Sequence, residues 1–205
     1  MSRDSVTLAI TGASGVQYGL RLLQCLLQSG QQVRLLISAP AQVVIATETD
    51  LKLPNQNKEI ETFLAARFAA SAGQLQVYGR QQWTAPVASG SNVSRAMVVC
   101  PCSTGTLSAI AQGNSRSLIE RAADVVLKER RQLILVPREA PLSSIHLENM
   151  LKLSRLGVTI LPASPAFYHR PRQISELVDY VVARILDHLD IGHSLAPRWG
   201  EDLEP

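Results

Sequence analysis

Two short segments set glycine among hydroxyl side chains directly after apolar runs. Thr11-Gly12-Ala13-Ser14-Gly15 follows Val6 to Ile10, and Ser103-Thr104-Gly105-Thr106 follows Ala96 to Cys100 by way of Pro101 and Cys102. Glycine permits a tight turn, and the first turn of a following helix leaves N–H groups without intrahelical acceptors. Such a turn suits an anion, phosphate above all. The second segment adds the hydroxyls of Ser103, Thr104 and Thr106, which fit phosphate or the polar edge of a ring. Both segments also have a plainer use, because Ser and Thr are ordinary helix N-caps. Taken together the two turns have the size of a mononucleotide site. A dinucleotide fits poorly: Gly12, Gly15 and Gly19 are not spaced as G-x-G-x-x-G, and Ser38 stands where an NAD ribose needs Asp or Glu.

Basic residues form the third chemical feature. Arg121 and Lys128 are seven apart, so they share one face of a helix, and Arg138 emerges beside Pro137 and Glu139 right after the buried run Leu133 to Val136. Arg130 and Arg131, with Glu120, Asp124 and Glu129 as near neighbours, read as a solvated charged face. Glu48, the Tyr168-His169-Arg170 run and Arg184 are polar candidates that spacing alone does not nominate. The histidines at 146, 169, 188 and 193 follow no metal-ligand spacing.

The elements that must hold these residues follow from the apolar rhythm. Strand-length runs (Val6–Ile10, Val33–Ile37, Leu75–Tyr78, Ala96–Cys100, Leu133–Val136, Val158–Leu161) alternate with stretches of helical spacing. Helices are predicted over Tyr18–Gln28, Pro40–Glu48, Glu59–Ala72, from Ser103 to Ala111, and over Leu118–Arg131, Ser143–Leu156 and Ile174–Leu189; Gln81 to Asn92 reads as an exposed loop. Strand–helix alternation predicts an α/β fold, a doubly wound, mostly parallel sheet with helices on both faces and ligands at the strand C-terminal ends. A single domain over 1–189 is expected, followed by a polar tail, 190–205, that folds over the site or a neighbouring subunit.

Composition narrows the function. Of 205 residues 46% are hydrophobic, yet Phe 3, Trp 2 and Tyr 4 are the only aromatics, so the core is aliphatic. Charged residues make up 18%, with a net charge of +3, too little for non-specific nucleic-acid binding. No apolar run reaches the roughly 18 residues of a membrane span. The three cysteines Cys25, Cys100 and Cys102 make neither an even disulfide set nor a four-ligand zinc pattern, and the first residues lack a signal peptide, which together indicate a cytoplasmic protein.

The segments TGASGVQYGLRLL, ATETD at 46–50, VVCPCSTGTLSAIA, IERAADVVLKERRQLILVPREAPLSSIHLENMLKLSRLG and ILPASPAFYHRP span nearly the whole chain. In them the chain resembles the flavin prenyltransferases of the UbiX/Pad family. The resemblance implies a Rossmann-like flavoprotein fold and FMN held non-covalently. It also implies a metal-independent reaction in which dimethylallyl phosphate gives its prenyl group to N5 and then C6 of reduced FMN. By this resemblance Gly12, Ala13, Ser14, Ser38, Ser103, Thr104, Gly105, Thr106 and Arg138 line FMN. Tyr168 and Arg184 hold the prenyl phosphate, Arg121, Lys128 and Glu139 complete the polar cage, Ser14 and Glu48 sit by the reacting flavin edge, and Trp83 and Trp199 wall the prenyl tail. Of these, Ser14, Glu48, Lys128 and Glu139 are the expected catalytic residues.

The family also implies a large homo-oligomer, a dodecamer, and a UbiD-type decarboxylase, as in ubiquinone biosynthesis, to receive the prenylated FMN. Two other readings share the fold, an FMN-dependent cysteine decarboxylase and a non-catalytic flavin carrier. The first needs a histidine in the first half of the chain, where none precedes His146; the second has no use for the cationic set Arg121, Lys128 and Arg184.

Overall fold

The apolar runs become six strands: β1 (Ser5–Ile10), β2 (Gln32–Ile37), β3 (Leu75–Tyr78), β4 (Ala96–Cys102), β5 (Gln132–Pro137) and β6 (Thr159–Ile160). The protein is described by a computed structural model over residues 5–200. All strand pairs are parallel, in the order β3-β2-β1-β4-β5-β6. The chain winds from β1 outward to β3, then restarts on the other side of β1 with β4. The reversal point therefore lies between β1 and β4, where the connections leave toward opposite faces and open a crevice at the strand C-terminal ends. The two glycine–hydroxyl turns are the segments that follow these two strands.

Alternation along each strand builds two cores. Val6, Leu8, Ile10, Val98, Cys100, Ile134 and Val136 join the core under α1 (Val16–Gln28), α2 (Ala39–Glu48), α3 (Asn57–Arg67) and α7 (Ile174–His188). Ala9, Met97, Val99, Cys102, Leu133 and Leu135 join the opposite core under α4 (Thr104–Ala111), α5 (Leu118–Lys128) and α6 (Ser144–Arg155). Strands buried on both faces read as continuous apolar runs, which is why they were visible in the sequence. In α1, Leu22, Leu23, Leu26 and Leu27 are buried, each stabilising by about 1.5–3 kcal/mol. Gly19 lets this helix lie on the sheet, because a Cβ there would stand 2.3 Å from the Cys100 carbonyl oxygen.

Four segments depart from expectation. The third helix ends at Arg67, where Ala69 takes a left-handed φ of 52°, and the fifth ends at Lys128, with Arg130 at φ 51°. The last strand shrinks to Thr159–Ile160. Gln81–Asn92 is no free loop: it holds two 3-10 turns, buries Ala85 and Val87, and packs beneath α5. Buried Arg34 on β2 secures this connection, donating to the Asn92 carbonyl at 2.5 Å and to Asn92 Oδ1 at 3.0 Å. After α7 the expected tail runs back along that helix with Leu189 and Ile191 buried; residues 201–205 lie outside the described residues. Among the described residues no helix is long and apolar enough to cross a membrane.

Candidate active site

Thr11 ties the two turns together. Its hydroxyl donates to the Pro101 carbonyl at 2.8 Å and accepts from the Ser103 amide at 2.7 Å, which locks the end of β1 to the start of α4. Ser38 and Ser103 cap their own helices, Ser38 accepting from the Ala41 amide and Ser103 from the Thr106 amide. The plainer reading of these serines therefore holds alongside any ligand role. The first-turn amides of Thr104 and Gly105 have no intrahelical acceptor. Gly105 is exposed, with open space where a Cβ would stand, so the α4 N-terminus is a cradle for an anion.

The α1 N-terminus is different. Gly15 adopts a φ of 96°, and its amide and that of Val16 point at Glu48 Oε2, at 2.8 and 3.3 Å. The anion that the glycine turn was expected to take from a ligand comes here from the chain itself. Burial alone would raise the Glu48 carboxyl; hydrogen bonds from Ser14, Gly15 and Val16, with Arg138 nearby, outweigh it and hold the group below the usual carboxylate range. Arg138 reaches from the end of β5 across the crevice, its Nε donating to the Ser14 carbonyl at 3.0 Å. Glu139 follows it at the same strand end, exposed, and accepts from the Ala140 amide at 3.1 Å. Gly12, Ala13, Ser14, Ser38, Glu48, Ser103–Thr106, Arg138 and Glu139 thus gather around one crevice.

The other expected site residues form two separate groups. Lys128 closes α5 just before β5 begins, so it lies at the strand N-terminal edge of the sheet, opposite Arg138, ion-paired with Glu129 beside Gly90. Arg121, in the second turn of the same helix, donates to the Ala88 carbonyl at 3.1 Å and pairs with Asp124 at 2.7 Å. Trp83, partly exposed, belongs to the same 79–95 connection.

Tyr168, Arg184 and Trp199 form the second group, in a cleft of about 590 Å³ between α7 and the returning tail. The Trp199 ring stands edge-on to Tyr168 with centroids 5.0 Å apart, and the Tyr168 hydroxyl donates to the Pro197 carbonyl at 3.3 Å. Burial and the neighbouring Tyr180 raise the Tyr168 phenol above its ordinary range, so it stays a neutral donor. Among the described residues no hydrogen bond or ion pair joins either group to the crevice. Sequence reasoning passed over Thr11, although it opens the first turn, and Asp187, whose three-residue offset from Arg184 on one helix was the available signal.

A parallel sheet in this order, with a capped crevice at its reversal point and an open helix N-terminus, defines a mononucleotide-binding α/β protein. Residues 1–186 match the family model described as Flavoprotein. The flavin prenyltransferase UbiX of Pseudomonas aeruginosa is 62% identical over 198 residues, 97% of this chain and 95% of that protein. AnUbiX (PadA1), solved in complex with FMN and dimethylallyl pyrophosphate, is 39% identical with a TM-score of 0.86, over 97% of this chain and 98% of that one. A dodecameric FMN-dependent UbiX-like decarboxylase from Escherichia coli O157:H7 is 41% identical, with a TM-score of 0.83 over 95% and 98%. The chain belongs to the Flavoprotein family and, within it, to the UbiX flavin prenyltransferases.

Proposed function

We propose that the protein transfers a dimethylallyl group from dimethylallyl phosphate to N5 and then C6 of FMN, and that the product serves a UbiD-type decarboxylase. The observation that carries this reading is the crevice itself. The open first turn of α4, the Ser103 and Thr106 hydroxyls and the Arg138 guanidinium fit a flavin mononucleotide, with Gly12, Ala13 and Ser14 against its ring. When bound, reduced FMN supplies the nucleophilic positions for alkylation.

The chain's own groups supply the rest. Ionising an allylic phosphate requires positive charge on the leaving group, which Arg121, Lys128 and Arg184 provide without a metal. Trp83 and Trp199 exclude water and face a developing cation with aromatic surface. Glu48 is held ionised and fixes the Ser14 hydroxyl beside the reacting flavin edge through a hydrogen bond.

The separation of the three groups within one chain argues for a site shared between subunits. The surface supports association: Ile145, Leu147, Leu151, Phe167 and Ile174 are large apolar side chains left exposed. A homo-oligomer, a dodecamer as in the UbiX-like relative, covers them and lets the Lys128 and Tyr168–Arg184 groups of neighbouring chains approach the crevice. The three unpaired, buried cysteines suit a reducing, cytoplasmic setting.

The deciding experiment is anaerobic incubation with reduced FMN and dimethylallyl phosphate, followed by mass spectrometry of the flavin. A gain of one dimethylallyl group, with a rate indifferent to EDTA, is expected. Bound flavin without that gain sinks the reading, and a rate lost with EDTA removes its metal-free leaving-group step.

A further inference from the structure

The tail and α7 meet on a single carboxylate. Asp187 Oδ2 accepts from Arg184 Nη1 at 2.5 Å, while Oδ1 accepts from Arg198 Nη2 at 2.9 Å and faces His193 Nε2 at 3.1 Å. The Asp187 side chain is 19% exposed and that of His193 7%, whereas the Arg184 and Arg198 side chains are 49% and 59% exposed. The acceptor is therefore the sheltered base of the cluster, and the two guanidinium groups stand forward of it.

One edge of the Arg184 guanidinium is fixed by Asp187, which removes rotamer freedom and leaves its other N–H groups for an anion in the cleft. Two arginines against one carboxylate leave positive charge over for that anion. The same carboxylate secures Arg198, whose neighbour Trp199 covers the Tyr168 ring. Guanidinium orientation and seating of the tail thus depend on one group.

We propose that Asp187 is the positioning residue of the prenyl-phosphate subsite: it orients Arg184 toward the phosphate and, through Arg198, latches the tail that brings Trp199 over Tyr168. This rests on the reading of Arg184 as a phosphate ligand given above. An i,i+3 ion pair serving helix stability alone would produce neither effect.

The test uses the FMN-loaded full chain with dimethylallyl phosphate as the probe. Asp187→Asn is expected to raise KM for dimethylallyl phosphate about tenfold with kcat changed less than about twofold, the loss of one charge-assisted contact. FMN affinity is expected to stay unchanged. Arg184→Ala is expected to raise KM as much or more, and the double variant to be less impaired than the product of the two single effects, since Asp187 acts in part through Arg184. Separately, trypsin cleavage after Arg198, read by intact mass without substrate, is expected to quicken about tenfold in Asp187→Asn because the latch is open.

The outcomes separate the two ideas. Unchanged KM in Arg184→Ala overturns the phosphate-ligand reading and the positioning role with it. An impaired Arg184→Ala beside a normal Asp187→Asn, or effects that multiply in the double variant, overturns the positioning role alone. An unchanged cleavage rate overturns the latch.

Discussion

Glu48 and Gly15, thirty-three positions apart, are joined by a 2.8 Å hydrogen bond from the Gly15 amide to the Glu48 carboxylate. The contact ties the end of α2 to the start of α1 and gives the α1 N-terminus a built-in negative charge. Because the folded carboxyl titrates below its ordinary range, its contribution is present above the unfolded value and fades as pH falls through the folded one.

Glu48→Ala is therefore expected to cost about 1 kcal/mol at pH 7, the usual worth of an N-terminal cap, lowering Tm by about 2–4 °C. Thermal melts of wild type and variant at pH 7 and near pH 3 check this. The gap is expected to narrow in acid, and an equal gap at both values rules out the carboxylate as its source.

Among the described residues Arg138 is the cation that spans the crevice, through its contact with the Ser14 carbonyl. Arg138→Ala is expected to weaken FMN binding about tenfold or more, as befits a lost hydrogen bond from a charged group, with the melting curve little changed. Quenching of flavin fluorescence on titration measures it. Unaltered affinity removes Arg138 from the flavin site.

These residues differ in how openly the sequence announces them. Arg138 was legible because it follows a strand buried on both faces, so the sheet edge it occupies is fixed by the fold class. The glycine–hydroxyl turns were legible for the same reason. Glu48 was not, since its partner lies across the α1–β2–α2 unit and no local pattern links them. Lys128 is the instructive case: its seven-residue spacing from Arg121 puts both on one helix face, but a helix between parallel strands must run back toward their N-terminal edge, which separates Lys128 from Arg138 in one chain. Asp187 was legible only in its three-residue offset from Arg184 on α7; its contacts to His193 and Arg198 depend on a tail whose return along α7 leaves no periodic signal.

The cysteines carry a prediction of their own. Cys100 and Cys102 are fully buried; burial pushes the Cys100 thiol up strongly and the Cys102 thiol up to about 12, and burial also raises Cys25. At pH 8 the thiolate fraction of Cys102 is then roughly one in ten thousand. Ellman's reagent is expected to label no thiol in the folded protein and all three after denaturation. Fast labelling of Cys100 or Cys102 in the native protein contradicts the packing of the strand that ends in the α4 turn.

If the site is shared, two inactive variants must complement each other. Lys128→Ala and Arg138→Ala alter opposite edges of one sheet, so a site built from a single chain cannot regain both groups by mixing. A site that takes Lys128 from one subunit and Arg138 from its neighbour can. When the two proteins are dissociated, mixed in equal amounts and reassembled, random pairing gives about a quarter of the interfaces both native groups. Assayed with FMN well below the dissociation constant of Arg138→Ala, prenyl transfer is expected to return to about that fraction of the wild-type rate, while each variant alone stays near background. FMN is expected to remain bound to Lys128→Ala throughout. Activity that stays absent after proven reassembly places both groups in one chain's site, and requires a movement of α5 or of the 79–95 connection that brings Lys128 to the crevice.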